Sequence, residues 1–520
     1  MEIILKRRYF FASLSGIFFS IPFFYPEFYI VSFFSAVPFL LILFDGLKDN
    51  KTIKYTIVFG MSFYMPVYVW FLWMYPMEQT GLTPFQSFFT VIAAWIGFPV
   101  IQTFALLILP VGLKIFKRAV FFGNIFILPL LAAFLYVITE WVQSWFLSGL
   151  TWAKLSVSQY KNLFFIQSVS LFGTYFSGFI IIFINAALAA FILSKTKKSA
   201  LIIASLFLYF INSYFGYFRI MYKDYAQKAN GEKTISAQII QGNISSYEKW
   251  EESGVEYSLA VYGELMGENG ESPEICVLPE TAIPGWVKNG GVLYERLRDL
   301  AVKNNTTLFA GAIFNDWEND KRYNAIIAFN KNYDFIRPYG KCHLVPFGEY
   351  LPFEGVLVKI FPFVSNIALF DSVLTPGKDP AVMDINGVKY GGLVCFDSIF
   401  PELARKSVLD GAEILIISTN DSWFRDSPAI YQHNAQAVLR AVENNRYVIR
   451  AANTGLSSFI SPTGEILQKS NVLQREILTC GIRAVKSKTV YTVCGDIILY
   501  TAFAYIAFCT VLTAKTSRRA

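Results

Sequence analysis

The sequence predicts a polytopic α-helical membrane domain joined to a soluble α/β domain, and two observations support this. Of 520 residues, 54% are hydrophobic and only 16% are charged, whereas about a quarter of the residues of a typical globular protein are charged. Long apolar runs fill the first 220 residues and recur after residue 490, while the stretch between them has ordinary soluble composition. We therefore expect a membrane domain over 1–225, a soluble domain over 226–487, and a last membrane helix with its tail over 488–520.

Eight apolar stretches are long enough to cross a bilayer, which takes about 20 mostly apolar residues. Seven precede the soluble segment and one follows it: 9–24, 28–46, 55–75, 86–112, 120–146, 163–194, 199–217 and 490–513. A cleaved signal peptide is the alternative for the first stretch, although no small-x-small cleavage site precedes the next apolar run. Almost no ionisable residues fall inside the first seven stretches, which disfavours a transporter with a soluble sensor domain.

Basic residues alternate with these stretches. Clusters stand at the start of the chain and after stretches two, four, six and eight: Lys6, Arg7 and Arg8; Lys48, Lys51 and Lys54; Lys114, Lys117 and Arg118; Lys195, Lys197 and Lys198; Lys515, Arg518 and Arg519. Because such clusters mark cytoplasmic loops, we expect cytoplasmic termini and an outward-facing soluble domain, which is periplasmic in a bacterium. The same topology accounts for the net charge of +7, so no nucleic-acid partner is expected.

In the soluble segment, short β-branched runs alternate with helical patterns, which predicts an α/β domain with both sheet faces covered. The predicted strands are Thr234–Gln241, Ile275–Leu278, Thr307–Phe314, Asn324–Asn330, Asp334–Tyr339, Val388–Cys395, Glu413–Thr419 and Tyr447–Ala452. The predicted helices are Gly291–Asn304, Pro401–Leu409 and Gln432–Glu443, and a hairpin is predicted around Pro462–Gly464.

One cysteine stands where a nucleophile would. Cys395 ends an apolar strand and precedes a polar turn and a helix, so its thiol is expected at a strand's carboxyl end, where α/β proteins usually bind ligands. A free thiol has a pKa of about 8.5 and needs a base or a nearby cation. His343 or His433 would make a Cys–His site. Alternatively, Glu280 is the base and Lys341 stabilises a thiolate or an oxyanion. Taken singly, each of these residues also has an ordinary structural or surface interpretation.

The other cysteines predict neither a disulfide framework nor a metal site. Cys494 and Cys509 lie in the last apolar stretch, and Cys342 adjoins Lys341. A Cys276–Cys480 disulfide is permitted in an outward-facing domain, with buried free thiols as the alternative. No Cys/His spacing suggests zinc, so we expect no metal and no cofactor.

The order Glu280, Lys341, Cys395 resembles that of the nitrilase (carbon–nitrogen hydrolase) superfamily. The segment Lys341–Glu354 (KCHLVPFGEYLPFE) resembles the signature of the apolipoprotein N-acyltransferase family, the membrane branch of that superfamily. Further matching motifs are Gln241–Asn243 with Lys249 and Trp250, Ser418–Phe424, Gln432–His433, Asn453–Gly455, Ser461–Glu465, and Gly149–Trp152 with Ser158 and Gln159. The resemblance covers nearly the whole chain.

The resemblance implies an α-β-β-α sandwich and an acyltransferase mechanism. Cys395 would be acylated by a phospholipid to form a thioester, with Glu280 as general base and Lys341 as oxyanion stabiliser. Glu349 matches a second glutamate of the family, which would support the lysine. The donor would be phosphatidylethanolamine, and the acceptor the α-amine of the lipid-modified cysteine of a diacylated apolipoprotein. The protein would be a monomer in the bacterial inner membrane.

The resemblance also implies substrate-binding positions. Trp250 and Trp423 match aromatic positions on mobile loops near the mouth of the active site, and Trp152 lies in a matching motif of the membrane part. The family often has Tyr-Glu after the cysteine, but here the pair is Phe396 and Asp397. A contact made by the tyrosine hydroxyl would therefore be missing, and the carboxylate is one methylene shorter.

Two features of the soluble segment bear on the reaction class. Aromatic residues in its loops are expected to reach toward acyl chains, with core packing as the alternative: Trp286, Phe347, Phe353, Phe361, Phe363, Trp423 and Phe424. A membrane-tethered amidase that hydrolyses a soluble nitrogen compound would use the same triad, with water in place of the amine. Such a hydrolase would require neither lipid-facing aromatic loops nor eight spans.

Overall fold

The computed structural model describes residues 1–49, 51–77, 80–117, 124–145, 149–194, 199–229, 234–268, 272–330, 336–360, 362 and 374–517. The chain divides into two compact units. We call the first, Met1–Leu72 with Ile92–Tyr225 and Cys494–Ala520, the helical unit. The second, Trp73–Val91 with Ala226–Val493, is the α/β unit. Several members of the predicted basic clusters lie outside the described residues: Arg118, Lys195, Lys197, Lys198, Arg518 and Arg519.

Among the described residues, six helices are long and apolar enough to cross a membrane. They are Pro26–Asp45, Pro84–Ile115, Ile127–Trp145, Tyr175–Leu193, Ala200–Tyr222 and Ile497–Lys515. They overlap the predicted stretches two, four, five, six, seven and eight. The first of them joins a 3-10 helix, Pro26–Phe33, to an α-helix, Val37–Asp45. The second consists of Pro84–Leu106 and Ile108–Ile115.

The other two predicted stretches form shorter helices. Arg8–Ser20 has 13 residues and continues into the 3-10 turn Ile21–Phe23. Thr52–Val67 has 16 residues and is followed by the 3-10 helix Val69–Met74. The sixth predicted stretch is also interrupted, because Gly173 adopts a φ of +78° before the long helix begins. The short helices of this region are Glu2–Lys6, Gly46–Lys48, Val157–Gln159, Leu163–Ile166 and Val169–Phe172.

Small residues let helices of the helical unit approach closely, as is usual where helices pack in a bilayer. A Cβ atom added at Gly16 would lie 2.5 Å from the carbonyl oxygen of Phe59. Nearby, the rings of Phe39 and Phe59 stack with their centroids 3.9 Å apart. The first and third predicted stretches are thus packed against each other within this unit.

Asn185 makes hydrogen bonds where the helical hydrogen bonding is interrupted between Pro26–Phe33 and Val37–Asp45. Its Nδ2 donates to the carbonyl oxygen of Ser32 at 2.8 Å, and its Oδ1 accepts from the Ala36 N–H at 3.0 Å. All three residues are buried. A buried backbone group without a partner is costly, above all in a membrane domain. This one side chain therefore supplies bonds that a continuous helix would have made itself.

The α/β unit contains two sheets. The strands are β1 Ile235–Gln241, β2 Ile275–Val277, β3 Ile283–Val287, β4 Thr307–Asp316, β5 Lys321–Phe329, β6 Tyr339–Gly340, β7 Val382–Ile385, β8 Val388–Val394, β9 Ile414–Thr419, β10 Tyr447–Ala452, β11 Ser458–Ile460, β12 Ile466–Lys469 and β13 Glu476–Ile482. One sheet has the order β13-β1-β2-β4-β5-β6, with β3 also paired to β4, and the other has the order β12-β11-β10-β9-β8-β7. In the second sheet β8, β9 and β10 run parallel, so their carboxyl ends share one edge.

Helices cover the outer faces of both sheets. One apolar core joins inner residues of the two sheets, for example Val277 and Phe309 with Ile416 and Ile449. A second core packs the first sheet against its helices. The helices of the unit are Ser246–Trp250, Gly254–Glu268, Val292–Lys303, Glu354–Ile360, Pro401–Leu409, Pro428–Asn444 and Val490–Cys494. The layers follow the α-β-β-α order that the resemblance implied.

Most of the predicted elements of the α/β unit are present. Pro401–Leu409 and Tyr447–Ala452 have the predicted bounds, and the predicted hairpin joins β11 to β12. In the predicted strand Asp334–Tyr339, strand structure begins only at Tyr339, and residues 334 and 335 lie outside the described residues. Sequence analysis missed β3, β7 and β13, which are short or partly exposed, and the helices Ser246–Trp250, Gly254–Glu268 and Glu354–Ile360.

All six cysteines are free thiols. Cys276 lies on β2 and Cys480 on β13, and β1 separates these two strands. Gln238 and Ala237 of β1 are their respective partners across the sheet. The possible Cys276–Cys480 disulfide is therefore absent, because a whole strand lies between the two sulfur atoms.

We expect Asn185→Leu to destabilise the helical unit, because two buried backbone groups lose their partners. The loss should be roughly 1–2 kcal/mol and should appear as a lower unfolding temperature in detergent. Thr510→Val is the control, because its hydroxyl donates to the carbonyl oxygen of Ile506 in its own helix, on an exposed face. Equal unfolding temperatures for the two variants would contradict the role given to Asn185.

Candidate active site

Polar residues converge where strands from both sheets end. Glu280 follows β2, Lys341 follows β6, and Cys395 follows β8. The two sheets are joined at this point, since the Ser418 hydroxyl of β9 donates to the carbonyl oxygen of Leu278 at 2.9 Å. The three residues of the predicted triad, of which the first and last are more than 100 positions apart in the chain, therefore meet at one edge of the sandwich.

Cys395 is the first residue after β8, and its backbone is strained. Its φ is +48°, a left-handed conformation that non-glycine residues rarely adopt. A 3-10 turn, Cys395–Ile399, begins with it. Such strain persists only where the surrounding structure enforces it and is concentrated at functional sites. The geometry turns the chain sharply and leaves this side chain partly accessible.

Lys341 is buried between two carboxylates. Its side chain is 1% exposed, and Nζ lies 2.8 Å from Glu349 Oε2 and 3.3 Å from Glu280 Oε1. Burial by itself lowers the pKa of Lys341, but the charges of Glu280 and Glu349 outweigh this effect, so the pKa lies above its ordinary value. The side chain is therefore a permanent ammonium group at neutral pH.

Both oxygens of Glu280 accept hydrogen bonds. Oε1 accepts from Asn324 Nδ2 at 2.7 Å and from the Lys341 ammonium. Oε2 accepts from the backbone N–H of Asn420, the residue after β9, at 2.8 Å. Because every partner is a donor, the arrangement suits an ionised carboxylate. The bond to Asn420 also ties this side chain to the second sheet.

Asn324 joins the two carboxylates, and sequence analysis did not single it out. Its side-chain Nδ2 donates to Glu280 Oε1 at 2.7 Å and to Glu349 Oε1 at 2.8 Å, and its main-chain carbonyl oxygen accepts from the main-chain N–H of Lys341. It is buried on β5, among apolar neighbours. A single amide-bearing residue within such a strand was the signal that could have identified it.

Glu349 contacts Lys341 and the main chain, and the supporting role that the resemblance implied remains a prediction. Its Oε2 accepts from the Val345 N–H at 2.8 Å in addition to contacting Lys341. The carboxylate thereby closes the loop between residues 345 and 349 and balances part of the ammonium charge. Four groups, Glu280, Asn324, Lys341 and Glu349, form one connected polar cluster, which we call the carboxylate–lysine cluster.

The thiol of Cys395 is held in its neutral form. Burial, reinforced by the negative charge of Glu280, raises its pKa above the ordinary value, and the opposing charge of Lys341 does not cancel the shift. Cys395 is therefore not a preformed thiolate, and to act as a nucleophile it would have to pass its proton to a base. Glu280 is a carboxylate whose charge acts on this thiol, and it can serve as that base.

Asp397 accepts hydrogen bonds from other residues of the chain. Its carboxylate accepts from the Tyr339 hydroxyl at 2.7 Å, the Cys342 N–H at 3.1 Å and the His343 N–H at 2.8 Å. It thus fastens the residues that follow Lys341 to the turn that follows Cys395. Phe396 is buried and packs edge-on against Phe400. The predicted role of Phe396 and Asp397 in substrate binding remains a prediction.

The two histidines occupy supporting positions. His433 Nδ1 lies 3.0 Å from Asp421 Oδ1, while Nε2 contacts the Ser398 hydroxyl at 2.9 Å and the carbonyl oxygen of Cys395 at 3.3 Å. This buried ring therefore contacts the main chain of Cys395. The His343 ring stacks on Phe400, with its centroid 4.1 Å away. This geometry favours the glutamate over either histidine as the base.

The predicted aromatic positions fall in different places. Trp250 is 48% exposed at the end of its helix, Trp423 is partly buried in the 3-10 turn Asp421–Phe424, and Phe353 is 72% exposed. Trp152 is buried in the helical unit, with its ring centroid 5.3 Å from that of Trp70. Their roles in substrate binding remain predictions. Phe361 and Phe363 lie outside the described residues.

The chain is similar to known proteins along most of its length. The family model for the apolipoprotein N-acyltransferase N-terminal domain matches residues 15–187, and the model for carbon–nitrogen hydrolases matches residues 237–490. The apolipoprotein N-acyltransferase of Geobacter metallireducens is 29% identical over 528 residues, which cover 99% of this chain and 96% of that protein. The apolipoprotein N-acyltransferase of Haemophilus influenzae is 29% identical over 376 residues, 71% of each chain.

A third relative is also similar to this chain along most of its sequence. The apolipoprotein N-acyltransferase of Rickettsia typhi is 28% identical over 468 residues, 88% of each chain. Together the two family models span both the helical part and the part that carries the carboxylate–lysine cluster. The chain belongs to the apolipoprotein N-acyltransferase family, within the carbon–nitrogen hydrolase (nitrilase) superfamily.

Proposed function

We propose that this membrane protein of the bacterial inner membrane transfers a fatty acyl chain from a phospholipid to the α-amine of the S-diacylglyceryl-cysteine of apolipoproteins. The acyl chain is carried as a thioester on Cys395, and the product is a triacylated lipoprotein. The observation that carries the proposal is the buried Lys341 ammonium between Glu280 and Glu349, at the strand ends where the strained Cys395 lies. A base, a fixed cation and a thiol are the groups that acyl transfer requires.

In the first half-reaction, the Cys395 thiol attacks the ester carbonyl of the phospholipid. The thiol proton passes to Glu280 as the sulfur–carbon bond forms, and the resulting oxyanion is stabilised by the Lys341 ammonium. The ester carbon–oxygen bond then breaks. Glu280 returns the proton to the departing alkoxide, which leaves as a lysophospholipid, and the thioester remains on Cys395.

In the second half-reaction, the amine of the apolipoprotein attacks the thioester carbonyl. Glu280 accepts a proton from the attacking nitrogen, and Lys341 again stabilises the oxyanion. The carbon–sulfur bond breaks, the sulfur recovers a proton from Glu280, and an amide is formed. The two substrates use the same site in turn, so the kinetics are ping-pong.

We further propose the predicted topology: eight spans, cytoplasmic termini, and a periplasmic catalytic domain over residues 226–487 between a membrane domain, 1–225, and a last span with its tail, 488–520. The helices Arg8–Ser20 and Thr52–Val67 count as spans if their 3-10 continuations are included. A domain tethered to the bilayer shares a plane with two lipid-anchored substrates, which raises their effective concentration.

The donor we propose is phosphatidylethanolamine, and we propose that the protein acts as a monomer. The donor follows from the family resemblance. The monomer is supported by the carboxylate–lysine cluster, because Glu280, Asn324, Lys341 and Glu349 of a single chain satisfy one another. The strained Cys395 comes from the same chain.

Cys395→Ala is expected to abolish acyl transfer while the protein still inserts into the membrane, because the atom that carries the acyl chain is absent. Wild-type enzyme incubated with phospholipid alone should gain the mass of one acyl chain in the peptide that contains Cys395. Cys342→Ala is the matched control and should retain the adduct. Acyl transfer by Cys395→Ala would refute the thioester mechanism.

Glu349→Gln is expected to lower the rate of thioester formation by about 10²-fold, the usual effect of disturbing an oxyanion donor. The amide keeps the size of the side chain but removes a charge that balances and orients Lys341. Glu318→Gln, on the exposed turn after β4, is the control for removal of a negative charge. The account of the cluster fails if both variants react at the wild-type rate.

The topology predicts opposite labelling of two exposed lysine positions. In spheroplasts, a membrane-impermeant maleimide should modify Lys303→Cys, on an exposed part of Val292–Lys303. It should modify Lys51→Cys only after the inner membrane is opened. The parent chain measures the background from native thiols such as exposed Cys494. Protection of Lys303→Cys in intact spheroplasts would contradict the periplasmic location.

A further inference from the structure

A second buried lysine, Lys249, donates hydrogen bonds to the turn that carries Glu280. Lys249 lies in the helix Ser246–Trp250 and is 1% exposed. Its Nζ donates to Thr281 Oγ1 at 2.8 Å and to the carbonyl oxygen of Glu280 at 3.2 Å. Both acceptors belong to the short segment after β2, so the lysine holds the main chain of the base rather than its carboxylate.

The backbone of this turn is strained. Thr281 has a φ of +44°, which is unfavourable for a β-branched residue. The backbone of β4 presses against it, because a Cβ atom added at Gly311 would lie 2.2 Å from the carbonyl oxygen of Pro279. A strained conformation persists only if its surroundings over-determine it. The two hydrogen bonds from Lys249 are part of those surroundings.

A second route of contacts links the same helix region to Glu280. Asn453, after β10, donates through Nδ2 to the carbonyl oxygen of Ile244 at 2.8 Å and to Asn420 Oδ1 at 3.3 Å. The N–H of Asn420 in turn donates to Glu280 Oε2. The backbone of the base is therefore fixed through Lys249, and its carboxylate through Asn420. Both routes begin in the segment from Ile244 to Trp250.

The burial of Lys249 is energetically unfavourable. Taking an ammonium group out of water carries a large penalty. Burial accordingly lowers the pKa of Lys249 to about 7, although the charge of Glu280 acts in the opposite direction. A methionine would fill a similar volume without that penalty. What the lysine adds is a donor for the two oxygens of the Glu280 turn.

We propose that Lys249 is a positioning residue for the acyl transfer: it fixes the main chain of Glu280 and links the general base to the segment that ends in Trp250. The base is then correctly placed only when the helix Ser246–Trp250 is docked against the Glu280 turn. This inference rests on the proposed role of Glu280 as the base.

The variants Lys249→Met and Thr281→Val test this role. Each removes the hydrogen bond between Lys249 and Thr281 without a large change in volume. Thr281→Ser keeps the hydroxyl, and Lys303→Met replaces an exposed lysine on another helix of the same unit. Two rates are measured on purified full-length protein for each variant. One is thioester formation with dipalmitoylphosphatidylethanolamine in mixed micelles, and the other is alkylation of Cys395 by iodoacetamide as a function of pH, read from the Cys395 peptide.

We expect Lys249→Met to slow thioester formation by about 10- to 100-fold at saturating phospholipid, the order expected for a misplaced catalytic group, with the half-saturating concentration unchanged. Alkylation of Cys395 at neutral pH should slow in parallel, since both reactions need the base. Thr281→Val should show a smaller loss that Thr281→Ser recovers. In the double variant the effects should not add, because both changes remove the same contact. Lys303→Met should match the wild type.

Wild-type rates per folded molecule in both Lys249→Met and Thr281→Val would overturn the inference and leave the proposed function standing. Absence of any thioester on wild-type enzyme would overturn the proposed function, while the alkylation rates would still decide the role of Lys249. If Lys249→Met fails to fold, Thr281→Val gives the answer. A lower unfolding temperature with unchanged rates would show that Lys249 is only structural, which also overturns the inference.

Discussion

The structure of the site depends on one interaction, the ion pairing of the buried Lys341 ammonium with Glu280 and Glu349. A buried charge without a partner is strongly destabilising, so each member of the cluster requires the others. Asn324 connects the two carboxylates and fixes the distance between them. The same contacts that stabilise the charges also set the chemistry. The ammonium remains protonated, and the raised pKa of Cys395 keeps its thiol neutral, which is why the proposed mechanism needs Glu280 as a base.

The α-β-β-α sandwich supplies the positions that this cluster needs. Glu280 comes from the first sheet and Cys395 from the second, and the contacts of Ser418 and Asn420 join the strand ends that carry them. The residues around the nucleophile serve this arrangement. Asp397 fastens the Lys341 segment to the turn after Cys395, and His433 holds the carbonyl oxygen of Cys395. Asp397 and His433, which the sequence offered as site residues, thus form hydrogen bonds with main-chain groups of the site.

The sequence predicted the elements with a strong periodic or apolar pattern, and it named Glu280, Lys341 and Glu349, which the fold brings into contact. The strands β8, β9 and β10 were found because they are mostly apolar, with Lys389 the one charged residue of β8 and Arg450 that of β10. The strands β3 and β13 were missed because their stability comes from pairing with β4 and β1 rather than from local pattern. Asn324 and Lys249 were not assigned roles for the same reason, since each matters through partners far away in the chain. The first and third apolar stretches were expected to form long helices, but each changes to 3-10 geometry, which the apolar pattern does not register.

The most direct test of the account follows the acyl group itself. Acyl-enzyme formed on Cys395 from phospholipid is isolated and mixed with a diacylated lipopeptide that has a free α-amine, and the products are quantified over a single turnover. The account predicts one N-acylated lipopeptide for each thioester consumed and little release of fatty acid by water. Discharge to free fatty acid at the same rate with and without the lipopeptide would contradict it and would make the protein a hydrolase.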